Sequence, residues 1–169
     1  IAGCAWAGRI PSSVLTAAML VMTAPGAVVA EGLLRLFYSP ASPLSGTLGG
    51  FNLLAAGMCL RWLYIPLRLL DLGARAFPHE EMEAAVLAGR SERAAFAAIA
   101  LPRLAGRLAI GAAAVFSLSA GDTAVSSLLF PPGETPLAVR LFEFQHYGYT
   151  EGVFALALAV GILSALPVI

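Results

Sequence analysis

Four apolar windows, each about as long as a bilayer-crossing helix, divide this chain of 169 residues and constrain its fold more than any other feature. They cover residues 10–36, 50–70, 105–130 and 152–169. The first has an uncharged centre interrupted by Pro25-Gly26, the second carries Arg61 and Pro66, and the third contains Asp122. A hydrocarbon core of roughly 30 Å requires about 20 mostly apolar residues in a helix. None of the windows shows the apolar/polar alternation over about ten residues that marks a membrane strand. The expected fold class is therefore all-α: a polytopic transmembrane helical bundle, with about four spans over residues 10–169. Composition agrees. Apolar residues make up 59% and charged residues 12%, with a mean hydropathy of +0.85, whereas soluble domains run at roughly 45–50% and about 25%. A soluble fold could not hide that much apolar surface. The net charge is zero and no basic patch is interleaved with aromatics, which argues against nucleic acid as a partner. The chain starts at Ile1 and stops at Ile169 within an apolar stretch, so it reads as a fragment truncated at both ends.

Arginine placement orients the spans, because Lys and Arg are retained on the cytoplasmic side. All ten basic residues are arginine. Arg68, Arg75, Arg90, Arg93, Arg103 and Arg107 lie in or beside the loop joining spans two and three, and Arg9 falls on the same side. The two opposite loops contain Arg140, with Arg35 at a boundary. The loop at residues 76–104 is thus expected in the cytoplasm. Within it, residues 80–89 read as a short helix with acidic residues in the first turn, ended by Gly89, which tolerates positive φ. Residues 90–101 read as a second short helix, N-capped by Ser91 and closed by Pro102.

The loop holds Glu83-Ala84-Ala85, then Gly89 after three residues, then Ile99 after nine more, and Leu101-Pro102 after one. This pattern resembles the E-A-A coupling loop of ABC importer permeases, which have the MetI-like helical fold. The similarity extends to residues 24–29 (A-P-G-A-V-V), to Arg61 with Pro66-Leu67-Arg68, to residues 128–135 (L-L-F-P-P-G-E-T), and to His146-Tyr147-Gly148. These segments look like the ferric-iron and thiamine type of permease, in which one chain often fuses two permease halves. Ferric-iron members often carry a glutamate near the end of span three, where this chain has Gly121-Asp122. The resemblance implies a multi-pass subunit of the bacterial cytoplasmic (inner) membrane with no catalytic site of its own. It also implies as partners a separate ABC ATPase subunit that uses ATP and Mg, a second permease half or subunit, a periplasmic or extracellular substrate-binding protein, and membrane lipid. No cofactor is expected on this chain, which has no G-x-x-x-x-G-K-[ST] phosphate cradle. In the coupling loop, the resemblance implies close approach at Ala84 and Ala85, an anionic contact or cap at Glu83 and a turn at Gly89. Ile99 and Leu101 would anchor the second helix, and Pro102 would fix its junction with span three.

Other polar residues leave alternatives open. A charge at mid-membrane costs roughly 2.5–3.5 kcal/mol on insertion scales. Arg61 therefore either faces the protein interior or an aqueous route, or snorkels to the cytoplasmic interface together with Arg68, seven residues on. Asp122 either lines a substrate path or caps a broken helix. The topology puts it towards the far side, away from direct pairing with Arg61. His79 reads as a solvated helix start. His146 and Tyr147 follow a short amphipathic stretch expected at the outer face, where they either meet a binding protein or pack at headgroup level. Neither histidine has a second ligand at metal spacing. Ser117, Ser119, Ser126 and Ser127 lack a matching histidine and suit helix packing and interhelical hydrogen bonding. Cys4 and Cys59 read as small packing residues. Two other classes compete with the permease: an ion-coupled secondary transporter using Asp122, and an intramembrane enzyme, which would need polar groups converging at one depth.

Overall fold

The computed structural model describes residues 10–75 and 79–165, which form helices and connecting turns with no strand among them. The all-α class is as expected, but the first two apolar windows are not single straight helices. Pro25 has a fixed φ of −54° and no N–H, and it holds the preceding Ala24 in extended geometry (ψ 145°). The first apolar window is consequently two helices, α1 (Ser12–Thr23) and α2 (Gly26–Tyr38), bent by 110°. The second window divides into α3 (Gly50–Trp62) and α4 (Tyr64–Arg75), bent by 49°. Pro66 accounts for this break, since its ring opposes the carbonyl of Trp62, four residues earlier, and it offers no N–H to that carbonyl.

After α5 (His79–Leu87) and the single turn α6 (Glu92–Ala95), the helix widens into a π-helical turn at Phe96–Ala100 and runs on as α7 (Leu101–Ala120). Pro102 was expected to close the second loop helix, but the helix passes through it. The backbone N–H of Leu101 donates to the Phe96 carbonyl, five residues back. This wider turn makes room for the proline ring where an α-turn would press it on the carbonyl of residue 98. The expected loop boundary at residue 104 therefore lies inside one continuous helix, Glu92–Ala120, of 29 residues.

Gly121-Asp122 breaks the chain again before α8 (Thr123–Leu129), and α9 (Leu137–Tyr147) and α10 (Thr150–Ala165) follow. Glycine contacts fix the pairing. Gly73 lies against Leu104 and Arg107, and Gly111 against Pro66, so α7 runs antiparallel to α4. Gly57 lies against Val125 and Leu129, and Gly50 faces Pro131, just past the end of α8, so α8 runs antiparallel to α3. Gly57 also touches Leu33, and Gly26 touches Arg61, which sets α2 antiparallel to α3. Where α2, α3 and α8 meet, Ala30, Leu33, Leu53, Leu54, Met58, Val125 and Leu129 form the core. The α9 helix rests on α8, and α10 rests on α9 and α7. Ser117 Oγ on α7 donates to the Ser164 carbonyl on α10, an interhelical bond of the kind expected of the span-three serines.

Among the described residues, Glu92–Ala120 is the one run long and apolar enough by itself to cross a membrane, with up to three crossings if each bent pair counts as one. The α10 helix is a shorter apolar helix of 16 residues. Leu20, Val28, Ile110, Phe154 and Leu158 all point outward, more than half exposed.

Candidate functional site

The three helix breaks converge on one ion pair. Arg61 lies in the last turn of α3, beside the Pro66-induced bend, and its Nε is 2.7 Å from Asp122 Oδ2. Its Nη1 donates to the carbonyl of Ala24 at 2.9 Å, the carbonyl that the Pro25 break leaves without a helical partner. Asp122 is the N-cap of α8: Oδ1 accepts from the Val125 backbone N–H at 3.1 Å, while its own carbonyl accepts from Ser126 Oγ at 2.6 Å. The two side chains are 15% and 5% exposed, which rules out snorkelling for Arg61. The guanidinium also lies 5.2 Å from the centre of the Trp62 ring. Gly26 completes the joint. A Cβ there would stand 2.8 Å from Ala124 Cβ and 3.3 Å from the guanidinium carbon of Arg61, so only glycine lets α2 begin this close.

Direct pairing of Arg61 with Asp122 departs from expectation, and depth explains the difference. Arg107 sits beside Gly73, near the end of α4. Counted from that contact at 1.5 Å per residue, Arg61 lies about 18 Å back from Gly73, and Asp122 about 22 Å on from Arg107. The two residues therefore fall within about one helical turn of each other in depth. The expectation had started the third span at residue 105 and placed Asp122 near its far end, without the bends that bring the half-helices α3 and α8 side by side.

The hairpin of α5 and α6 lies on the other end of the continuous helix. Gly89 has φ +88°, the Arg90 N–H bonds to the Ala85 carbonyl and the Gly89 N–H to the Val86 carbonyl. These two bonds make a Schellman turn that satisfies the last carbonyls of α5. Ser91 Oγ accepts from the Ala94 N–H at 3.3 Å, the expected N-cap. Glu80 and Glu81 occupy the first turn of α5. Glu81 pairs with Arg103 at 2.8 Å, tying α5 back to the start of α7. Glu83, Ala84 and Gly89 are exposed and Ala85 is half-buried, while Leu87 at the tip is 87% exposed. Of the two expected anchors, Ile99 is half-buried, whereas Leu101 is 48% exposed; Pro102, expected to fix the junction with span three, is exposed as well. Ala95 and Ala100 make the buried contacts instead, since the π-turn changes which residues face inward.

A second charged cluster joins two of the orienting arginines, Arg68 and Arg75, to Asp71, a residue not singled out from the sequence. Asp71 is fully buried, and its Oδ2 accepts from Arg68 Nη1 and from Arg75 Nε, both at 2.9 Å. The signal was the R-x-x-D-x-x-x-R spacing, which puts both arginines on the aspartate's helix face.

The remaining residues lie apart. His146 stacks on Phe142 with ring centres 5.6 Å apart, and Tyr147 is exposed on the last turn of α9 before the left-handed Gly148. His79 begins α5. Cys59, expected to pack, is exposed on α3, and Cys4 lies outside the described residues. Among the described residues no three His, Cys, Asp or Glu side chains are grouped as a metal site. No protein-family model and no curated protein matches this chain. The fold and the joint define an all-helical protein in which broken helices meet at a buried Arg61–Asp122 pair.

Proposed function

We propose that this chain is a transmembrane permease subunit of an ATP-driven importer, a multi-pass protein of the bacterial cytoplasmic membrane. In this reading the bent pairs α1/α2 and α3/α4, the helix Glu92–Ala120 and α10 are its spans. One observation carries the reading. The continuous helix Glu92–Ala120, about 44 Å long at 1.5 Å per residue, has the exposed hairpin at one end and Gly121-Asp122 at the other. A rigid rod of that kind transmits a displacement. A separate ATPase that grips Glu83, Ala84, Ala85 and Leu87 moves the hairpin as it closes. The rod then shifts α8 against α2 and α3, where three helix ends are held together by the Arg61–Asp122 pair. Opening and closing that joint is alternating access, with discontinuous helices lining the route. ATP and Mg belong to the partner ATPase, a second permease half or subunit completes the pathway, and an external binding protein delivers the substrate to the side bearing α9. Ferric iron is the substrate towards which the sequence resemblance leans. The outward-facing large apolar side chains support a lipid surrounding.

The test is association of the full transporter. Gly89→Val is strained by φ +88° alone, since no neighbour lies within 4 Å of a Cβ there. Glu83→Lys reverses an exposed charge. Both variants are expected to insert normally, to pull down less ATPase, and to lose substrate-stimulated hydrolysis. Parent-like docking and stimulation in both would remove the hairpin as the coupling element, and uptake that persists without any ATPase would favour the ion-coupled transporter.

A further inference from the structure

We propose that the cleft between the start of α1 and α4 binds the phosphate group of an anionic phospholipid; this rests on the membrane-embedded part of the function proposed above. The cleft has a volume of about 450 Å³, and Ser12, Thr16, Tyr64, Arg68 and Arg75 supply its polar lining. Asp71 engages one N–H of each arginine through the same oxygen. Two guanidiniums against one carboxylate leave a net charge of +1. The two arginine side chains are 42% and 49% exposed, so donors not used on Asp71 remain accessible in a fixed orientation. At the same wall, α1, a helix of 12 residues, starts after Pro11 with no side-chain cap. The first amides of a helix have no intrahelical acceptor and suit an anion. Charge, hydroxyl and amide donors thus converge on a singly charged phosphate. The source is indicated by the rest of the lining, because Leu15 and Met19 continue the cleft along α1 as an apolar surface. A soluble phosphate gains nothing from such a wall, whereas acyl chains do. The arginines also belong to the set whose placement marks the cytoplasmic side, where anionic headgroups attract basic residues.

The experiment is native mass spectrometry of the purified full chain in detergent, offered phosphatidylglycerol and phosphatidylcholine in equal amounts, with and without inorganic phosphate. Phosphatidylglycerol is expected to be retained preferentially and to resist millimolar phosphate. The triple variant Arg68→Gln/Asp71→Asn/Arg75→Gln removes the cluster without stranding a buried charge, and its preference is expected to fall about fivefold, the scale for one interfacial charge. Thr16→Trp obstructs the cleft while leaving the three charged residues intact, and it decides the matter if the triple variant fails to fold. Equal retention of the two lipids by the parent, or an unchanged preference in Thr16→Trp, overturns the site. Displacement of phosphatidylglycerol by inorganic phosphate overturns the lipid as its source. No ATPase is present, so a failure of coupling at the hairpin leaves this measurement unaffected.

Discussion

At the scale of single residues, the Arg61–Asp122 pair decides how α2, α3 and α8 are held. Each partner serves a second group: Arg61 satisfies the Ala24 carbonyl, and Asp122 caps α8. Removing one member of a buried pair strands the other and costs about 3–5 kcal/mol, whereas removing both together costs far less. Thermal unfolding should therefore rank Arg61→Met as more damaging than Arg61→Met/Asp122→Asn, because asparagine keeps the cap and sheds the charge. Equal loss in the single and double variants would mean that the two side chains are not coupled. The same logic separates Asp71 from an ordinary surface ion pair. It is fully buried, but its two arginines are nearly half exposed and solvated, so the cluster keeps a charged face to the outside.

Among the helices, close approach is set by glycine. A Cβ at Gly111 would stand 2.9 Å from Pro66 Cβ and 3.0 Å from its Cα, and that backbone cannot yield, because Pro66 is part of the bend. Gly106, one and a half turns away on the same helix, has open space around it. Gly111→Ala is expected to destabilise by about 1–3 kcal/mol through overpacking. Gly106→Ala is expected to be neutral or to stabilise by up to about 1 kcal/mol through helix propensity. Melting of the two variants in one detergent checks this directly, and a Gly111→Ala variant as stable as the parent would refute the α4–α7 contact. The π-turn acts at this scale too, by letting the rod from Glu92 to Ala120 continue past Pro102.

For the molecule as a whole, the antiparallel course of α4 and α7 puts the hairpin at one end, while the 131–136 turn and α9 lie beyond α8 at the other. In the proposed topology, which follows the arginine distribution, the hairpin end faces the cytoplasm. Cysteine replacing Ser91, exposed in the hairpin, is therefore expected to react with a membrane-impermeant thiol reagent only from the cytoplasmic side. Cysteine replacing Glu134, exposed in the opposite turn, is expected to react only from outside. Labelling is to be read in a background in which both native cysteines, Cys4 and the exposed Cys59, are replaced by serine. The reverse pattern would invert the topology and remove the hairpin from any cytoplasmic ATPase.

Local chemistry was legible in the sequence. The helical class follows from apolar windows that lack alternation, the Gly89 turn from a residue free to take φ +88°, and the Ser91 cap from a hydroxyl placed before a helix. Pro25 marked the first break, because a missing N–H acts within four residues, whereas the second window was read as one span and its break at Pro66 came only with the structure. Tertiary structure alone decided the bend angles of 110° and 49°, the passage of the helix through Pro102, the exposure of Leu101 and the pairing of Arg61 with Asp122. These depend on where each helix begins relative to its antiparallel neighbour. Each residue of offset moves a side chain by 1.5 Å along the axis and by about 100° around it. No local rule fixes that offset; the glycine contacts that bring α4 against α7 and α3 against α8 do.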